Sequence, residues 1–296
     1  MRTETAGTAG FCFGVQRAVA LVEQEAQRGG IVCTLGPIIH NETVTRRLAG
    51  MGVTVIDTPE EAPPGSRVVI RAHGVPLSVT RRMEALGIPY LDATCPFVAK
   101  VHRIVAGVPP DTVVMVAGDP EHPEVKGITG HCRGPFLVAQ TGSELEKAVL
   151  SLENFHKQSY ILVAQTTFNR QEWEKTVFSA KKVCTKLRIF DTICKATVVR
   201  QDEADRLSRR ADMMVVIGGR HSSNTRKLFD ICSANCPTLL VEEPGELSLH
   251  RERLLQASFI GITAGASTPA CIIKEVQQTM SRMDNISNDM TFEEML

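Results

Sequence analysis

Three stretches of this chain read AGFCFGVQRAV, DATCPFVAKVHRI and DTICKATVVRQDE, each with a cysteine where a loop turns into a helical pattern. From Cys12 it is 28 residues to His40, from Cys95 it is 27 to His122, and from Cys194 it is 27 to His221, each time across a strand-like run into a polar loop. Spacings this nearly equal mark an internal repeat. Each repeat closes on a second strand that runs into polar or histidine-bearing sequence: IRAHGVP at His73, AQTTFN at Thr166 and Thr167, AGASTP at Ser267. A chain of 296 residues holds two or three domains at roughly 100–200 residues each. The repeat selects three, spanning residues 1–95, 96–193 and 194–283, followed by a polar, acidic tail over 284–296.

Apolar runs of strand length recur along the chain as IVCTLG, RVVIRAHG, TVVMVAGD, YILVAQTT, MMVVIGG and FIGITAGA, and they alternate with helical patterns. Val15, Ala18, Val19 and Val22, for example, mark one apolar helix face. Continuous apolar strands alternating with helices predict parallel sheets covered on both sides, an α/β fold. The expected architecture is three pseudo-equivalent α/β domains with mostly parallel sheets, set as a trefoil around a shared centre. In such units, ligand groups gather beyond the carboxyl ends of the strands, where helix N-termini offer unpaired N–H groups to anions.

One cysteine from each repeat would meet at that centre. Three thiolates on three separate loops lack the short C-x₂₋₄-C pairing of a zinc finger. Three is also the number that leaves one iron of a [4Fe-4S] cluster without a protein ligand, whereas most electron-carrier clusters use four cysteines. Buried structural thiols or another metal remain open on symmetry alone. Cys33, Cys132, Cys184 and Cys271 lack a partner at ligand spacing, and Cys232 with Cys236 reads as helix-end packing. The polar loops are rich in His, Ser, Thr and Asn, groups that bind a diphosphate through many hydrogen bonds. Neither a G-x-x-x-x-G-K-[ST] loop nor a G-x-G-x-x-G fingerprint occurs, so ATP hydrolysis and direct nicotinamide binding lack support. Glu124, two residues past His122, is a proton donor beside an anionic ligand or a first-turn helix carboxylate, and its position serves either role equally.

Charge argues against some partners. A formal net charge of zero implies neither nucleic acid nor a membrane surface, and no run approaches the roughly 18 apolar residues of a spanning helix. The segment MRTETAGTAGFCFG lacks the apolar core of a secretory signal, which predicts a cytoplasmic protein.

With GFCFGV, GPIIHN, RAHGVP, DATCPFV, HPEVKGITGH, QTT, DTICKAT, SSNT and GASTP in order, nearly the whole chain resembles the 4-hydroxy-3-methylbut-2-enyl diphosphate reductases. The resemblance implies a three-domain trefoil around a [4Fe-4S] cluster held by Cys12, Cys95 and Cys194, whose open iron binds the substrate's allylic hydroxyl. It places the diphosphate among His40, His73, His122, Ser222, Ser223, Asn224 and Ser267. Glu124 would protonate the leaving hydroxyl, while the threonine of QTT, Thr166 with Thr167 as its neighbour, orients that hydroxyl and Glu124. Two electrons, from a ferredoxin or flavodoxin, and two protons would give isopentenyl and dimethylallyl diphosphate, the last step of the methylerythritol phosphate route to isoprenoids. Rival readings are a quinolinate-synthase-like dehydratase, which takes up no net electrons, and a cluster-bearing electron carrier or redox sensor, which needs no ring of His, Ser and Thr.

Overall fold

A computed structural model describes residues 2–293. In chain order the strands and helices are β1 (Arg2–Thr5), α1 (Phe13–Gln27), β2 (Val32–Leu35), α2 (Glu42–Gly50), β3 (Val53–Ile56), β4 (Arg67–Ile70), α3 (Leu77–Ala85), β5 (Tyr90–Asp92), α4 (Pro96–Ala106), β6 (Thr112–Ala117) and α5 (Pro123–Thr129). They continue with β7 (Phe136–Ala139), α6 (Gly142–Leu150), β8 (Ser159–Ala164), α7 (Arg170–Val183), β9 (Lys186–Ile189), α8 (Lys195–Ser208), β10 (Met213–Ile217), α9 (Ser223–Ser233), β11 (Thr238–Val241), α10 (Arg251–Gln256), β12 (Phe259–Ala264) and α11 (Ala270–Glu293).

The strands form three four-stranded sheets, ordered β3-β2-β4-β5, β7-β6-β8-β9 and β11-β10-β12-β1, and every pairing is parallel. The three orders are one topology. The first strand of each repeat lies inside, the second outside it, the third on its other flank, and a fourth closes the far edge. The six apolar runs of the sequence are the six inner strands, and their burial explains why: β2, β6 and β10 are buried at every position. Side chains covered by helices on both faces have no solvent side on which to be polar. Edge strands such as β9, which alternates exposed and half-buried residues, carry no such run.

In the third sheet the fourth strand is β1, from the start of the chain, paired with β12 in register Arg2↔Phe259 to Thr5↔Ile262. Residues 2–12 therefore belong with the third repeat and not with a first domain over 1–95. By contact the chain forms two compact units, one of residues 2–12, 40–42 and 195–293 and one of residues 13–39 and 43–194, the second holding two of the sheets. The segment read as a tail continues α11 as far as Glu293, and residues 294–296 lie outside the described residues. Among the described residues, no helix is long and apolar enough to cross a membrane.

Candidate active site

Each of the three cysteines follows the fourth strand of a sheet and precedes the helix that opens the next repeat. Cys95 N–H donates to Ala72 O at 2.9 Å, Cys194 N–H to Thr166 O at 2.9 Å, and Cys12 N–H to Ala266 O at 3.2 Å. The acceptors all lie in the loop after the third strand, so the three thiols occupy one equivalent place in their sheets. All three are half-buried, and no disulfide joins any of the nine cysteines. Half-buried thiols outside any disulfide are a donor set suited to iron. A Cβ on Gly14 would stand 2.5 Å from Cys95 Sγ, so a side chain at position 14 would displace that sulfur. The loop before Cys12 is held from both sides by α8. The guanidinium of Arg200, 4% exposed, donates to Thr8 O and Gly10 O, while the Glu203 carboxylate accepts the Gly7 and Thr8 N–H groups.

Five of the other six cysteines are less acidic than a free thiol, and the sixth, Cys271, is exposed. Burial raises the thiol pKa of Cys132 and Cys184 to about 11 and of Cys232 to about 12, and it also raises those of Cys33 and Cys236. Cys232 is fully buried at the end of α9, as packing requires.

In the second unit, β6 leads through DPEH into α5. His122 is the N-cap, and its Nδ1 accepts the Glu124 N–H at 3.1 Å. That bond puts the proton of a neutral ring on Nε2, making His122 a donor to whatever lies before the helix. Glu124 is 1% exposed. Its Oε1 accepts the Thr166 N–H at 2.6 Å and its Oε2 accepts the Thr166 hydroxyl at 2.9 Å. Burial penalises the carboxylate more than these two bonds favour it, and the pKa rises to about 7. Thr167 plays a different part: its Oγ1 accepts from Gln165 Nε2 at 2.9 Å, while Gln165 Oε1 accepts the Asp119 N–H at 3.2 Å. The His73 ring meets that of His122 edge-on, with centroids 5.4 Å apart.

In the first unit, β10 leads into α9, whose N-cap Ser222 accepts the Thr225 N–H at 3.4 Å. Ser223 and Asn224 in the first turn are buried, and neither the Oδ1 nor the Nδ2 of Asn224 has a hydrogen-bond partner. Ser267 Oγ lies 3.3 Å from His40 O and 3.4 Å from Ser222 Oγ. This helix start has no acid in its first turn and is lined by hydroxyls and the buried Asn224 amide, groups whose chemistry suits an anion.

The three loops align through the glycine that ends each first strand. The N–H groups of Gly36, Gly118 and Gly218 donate to Ile56 O, Ala139 O and Val241 O respectively. Four residues on come His40, His122 and Ser222, so the third repeat's equivalent is Ser222, and His221, an exposed residue, stands one position short of it. Six residues on come Glu42, Glu124 and Asn224. The sequence marks Gln165, Arg200 and Glu203 only weakly. Gln165 adjoins the QTT threonines, and Arg200 and Glu203 are spaced i, i+3 on one helix; these were the available signals.

The LytB protein family matches residues 4–281. The 4-hydroxy-3-methylbut-2-enyl diphosphate reductase of Geobacter sulfurreducens is 40% identical over 287 residues, covering 96% of this chain and 99% of its own. That of Nitratiruptor is 39% identical over 286 residues, covering 96% and 99%. A solved structure of (E)-4-hydroxy-3-methyl-but-2-enyl diphosphate reductase, the terminal enzyme of the non-mevalonate pathway, is 36% identical with a TM-score of 0.66, covering 95% of this chain and all of that one. The Plasmodium falciparum reductase structure, 24% identical, shares the fold at a TM-score of 0.84 over 96% of this chain and 87% of its own.

Proposed function

Because the chain belongs to the LytB protein family, we propose a specific division of labour among its residues in the reduction of 4-hydroxy-3-methylbut-2-enyl diphosphate. The chain is a reductase of that diphosphate, acting in isoprenoid synthesis by the non-mevalonate pathway. Cys12, Cys95 and Cys194 hold a [4Fe-4S] cluster; their equivalent backbone settings and thiol chemistry support this assignment. When bound, such a cluster supplies electrons and one iron open to the substrate's hydroxyl oxygen. The electrons come from a ferredoxin or flavodoxin, and the protein works in the cytoplasm, where its nine thiols stay reduced.

The single observation that carries the reading is the buried Glu124–Thr166 pair. With a pKa of about 7, Glu124 is about half protonated at neutral pH, on a carboxyl group fixed by the Thr166 N–H and hydroxyl. C–O cleavage leaves an oxygen that must be protonated, and an acid whose pKa matches the working pH is best placed for that transfer. Thr166 orients both the acid and the allylic hydroxyl. The hydroxyl leaves as water with the Glu124 proton, and the two electrons and a second proton complete isopentenyl or dimethylallyl diphosphate, according to which end of the allyl unit is protonated. His40, His73, His122, Ser222, Ser223, Asn224 and Ser267 bind the diphosphate, and Thr167 joins Thr166 in binding the substrate.

Anaerobic turnover with a reduced viologen dye tests this. The wild type is expected to form both five-carbon diphosphates, and Glu124→Gln to lose about 10²–10³ in kcat while keeping its iron content and cluster absorbance. An inert wild type with a full cluster sinks the assignment.

A further inference from the structure

His102 is a buried side chain for which the chemistry above has no use. It lies seven residues beyond Cys95 on α4, and the same step beyond Cys12 and Cys194 holds Val19 and Gln201, all three buried. The valine of the first repeat shows that packing at this step does not need an imidazole. A histidine there is costly, because Nε2 of His102 is buried without a hydrogen-bond partner and has given up water with nothing in its place. Burial, helped by the neighbouring His131 and opposed more weakly by Asp92, lowers the pKa of the ring to about 4. At neutral pH the ring is therefore uncharged and acts through its shape.

That shape is enclosed by the elements that carry the site. The His102 ring stacks on His131, just past the end of α5, with centroids 4.1 Å apart and 19° between the planes. His131 is tied back to α5, its Nδ1 lying 2.8 Å from Gly127 O. The edge of the His102 ring meets two glycines. A Cβ on Gly74 would stand 2.6 Å from His102 Cε1, and a Cβ on Gly127 would stand 3.1 Å from His102 Nε2 and 3.5 Å from His73 O. Gly74 directly follows His73 and has a φ of +73°, a conformation suited to glycine. Gly127 lies one turn beyond Glu124 on α5. The ring is thus wedged where the His73 loop meets α5, the two segments whose His73 and His122 rings touch edge-on.

We propose that His102 is a positioning residue whose flat ring sets the spacing between the His73 loop and α5, and with it the placement of His73, His122 and Glu124 on the substrate; this rests on the roles proposed above for those three residues. Dye-driven kinetics of the cluster-loaded enzyme test it. His102→Val, which installs the residue of the first repeat, is expected to raise KM roughly tenfold, since misplacing a binding group by about 1 Å is enough for a loss of that order. His102→Gln, which installs the flat neutral group of the third repeat, should stay within about threefold of the wild type. Gly127→Ala presses a methyl group against Nε2 while favouring the helix, so KM should rise roughly threefold or more with no loss of thermal stability, a split that a merely structural role would not give. In the His102→Val background, where that methyl group has room, the same change should cost less than about twofold. Iron content and cluster absorbance stay at the wild-type level throughout. An unchanged KM in His102→Val or in Gly127→Ala overturns the proposal, as does a Gly127→Ala effect equal in both backgrounds, or a loss in His102→Val that falls equally on iron content and that His102→Gln does not rescue. A wild type inert with dye overturns the reductase reading instead. Crystal structures of the wild type and His102→Val then still decide the spacing, and an unchanged distance between the His73 and His122 rings overturns the positioning role.

Discussion

Glu124 and Asn224 occupy the same step of two repeats, six residues beyond the glycine that ends the first strand, and both are buried. Their surroundings are opposite. Glu124 has both carboxyl oxygens engaged by Thr166, and burial raises its pKa, so it stores a proton at a fixed position. Asn224 has both amide atoms without a hydrogen-bond partner, which suits the diphosphate-binding role proposed for it. Glu42, the third member of the set, is exposed and does neither. On the proposed roles, one backbone position serves for chemistry, for binding or for the surface, according to what the rest of the fold packs around it. A buried polar group left unpaired costs about 1–3 kcal/mol, which a folded protein retains where a ligand restores the bonds.

Removing the Asn224 amide should have the largest effect on binding. Asn224→Ala is expected to raise KM roughly 10–100-fold with kcat changed far less, the inverse of the Glu124→Gln pattern. Dye-driven steady-state kinetics read both constants, and a loss confined to kcat would contradict the division between the two positions.

The acid can also be read through stability. The native state holds the Glu124 proton up to about pH 7, whereas the carboxyl group's ordinary value is 4.5. Its contribution is therefore full below pH 4.5 and lost as pH rises to about 7. Glu124→Gln, which does not titrate, should unfold at a higher temperature than the wild type above pH 7 and approach it near pH 5. The difference is bounded by roughly 3 kcal/mol for a shift of this size. Thermal unfolding of cluster-free protein between pH 5 and 8 measures it, and a pH-independent difference would mean Glu124 is ionised when buried.

Glu42→Gln should do least. An exposed carboxylate at the start of α2 is expected to change stability by less than about 0.5 kcal/mol and turnover not at all. Any marked loss of activity would give Glu42 a role that its exposure does not suggest.

What was legible follows from how local each signal is. Inner strands could be read because burial on both faces leaves a continuous apolar run, visible within six residues. Edge strands could not, since β3 mixes exposed and buried positions, β5 has only half-buried and exposed ones, and both are recognised only by their neighbours. The cysteine spacing located the equivalent loops to within one residue. It picked His221, one position short of the N-cap Ser222, because a histidine was the visible marker and the helix start was not.

The sequence by itself determined the repeat, the parallel α/β class, the three cysteines at helix starts and the ordered motifs of the family, because each is carried by residues close together in the chain. Only the tertiary structure decided that β1 joins β12, that Thr166 engages both carboxyl oxygens of Glu124, that Glu124 is buried where Glu42 is exposed, and that Asn224 is left unpaired. These outcomes depend on packing between segments 42 residues apart for Glu124 and Thr166, and nearly the whole chain apart for β1 and β12. Burial and the pKa it raises are properties of that packing, and no local pattern encodes them.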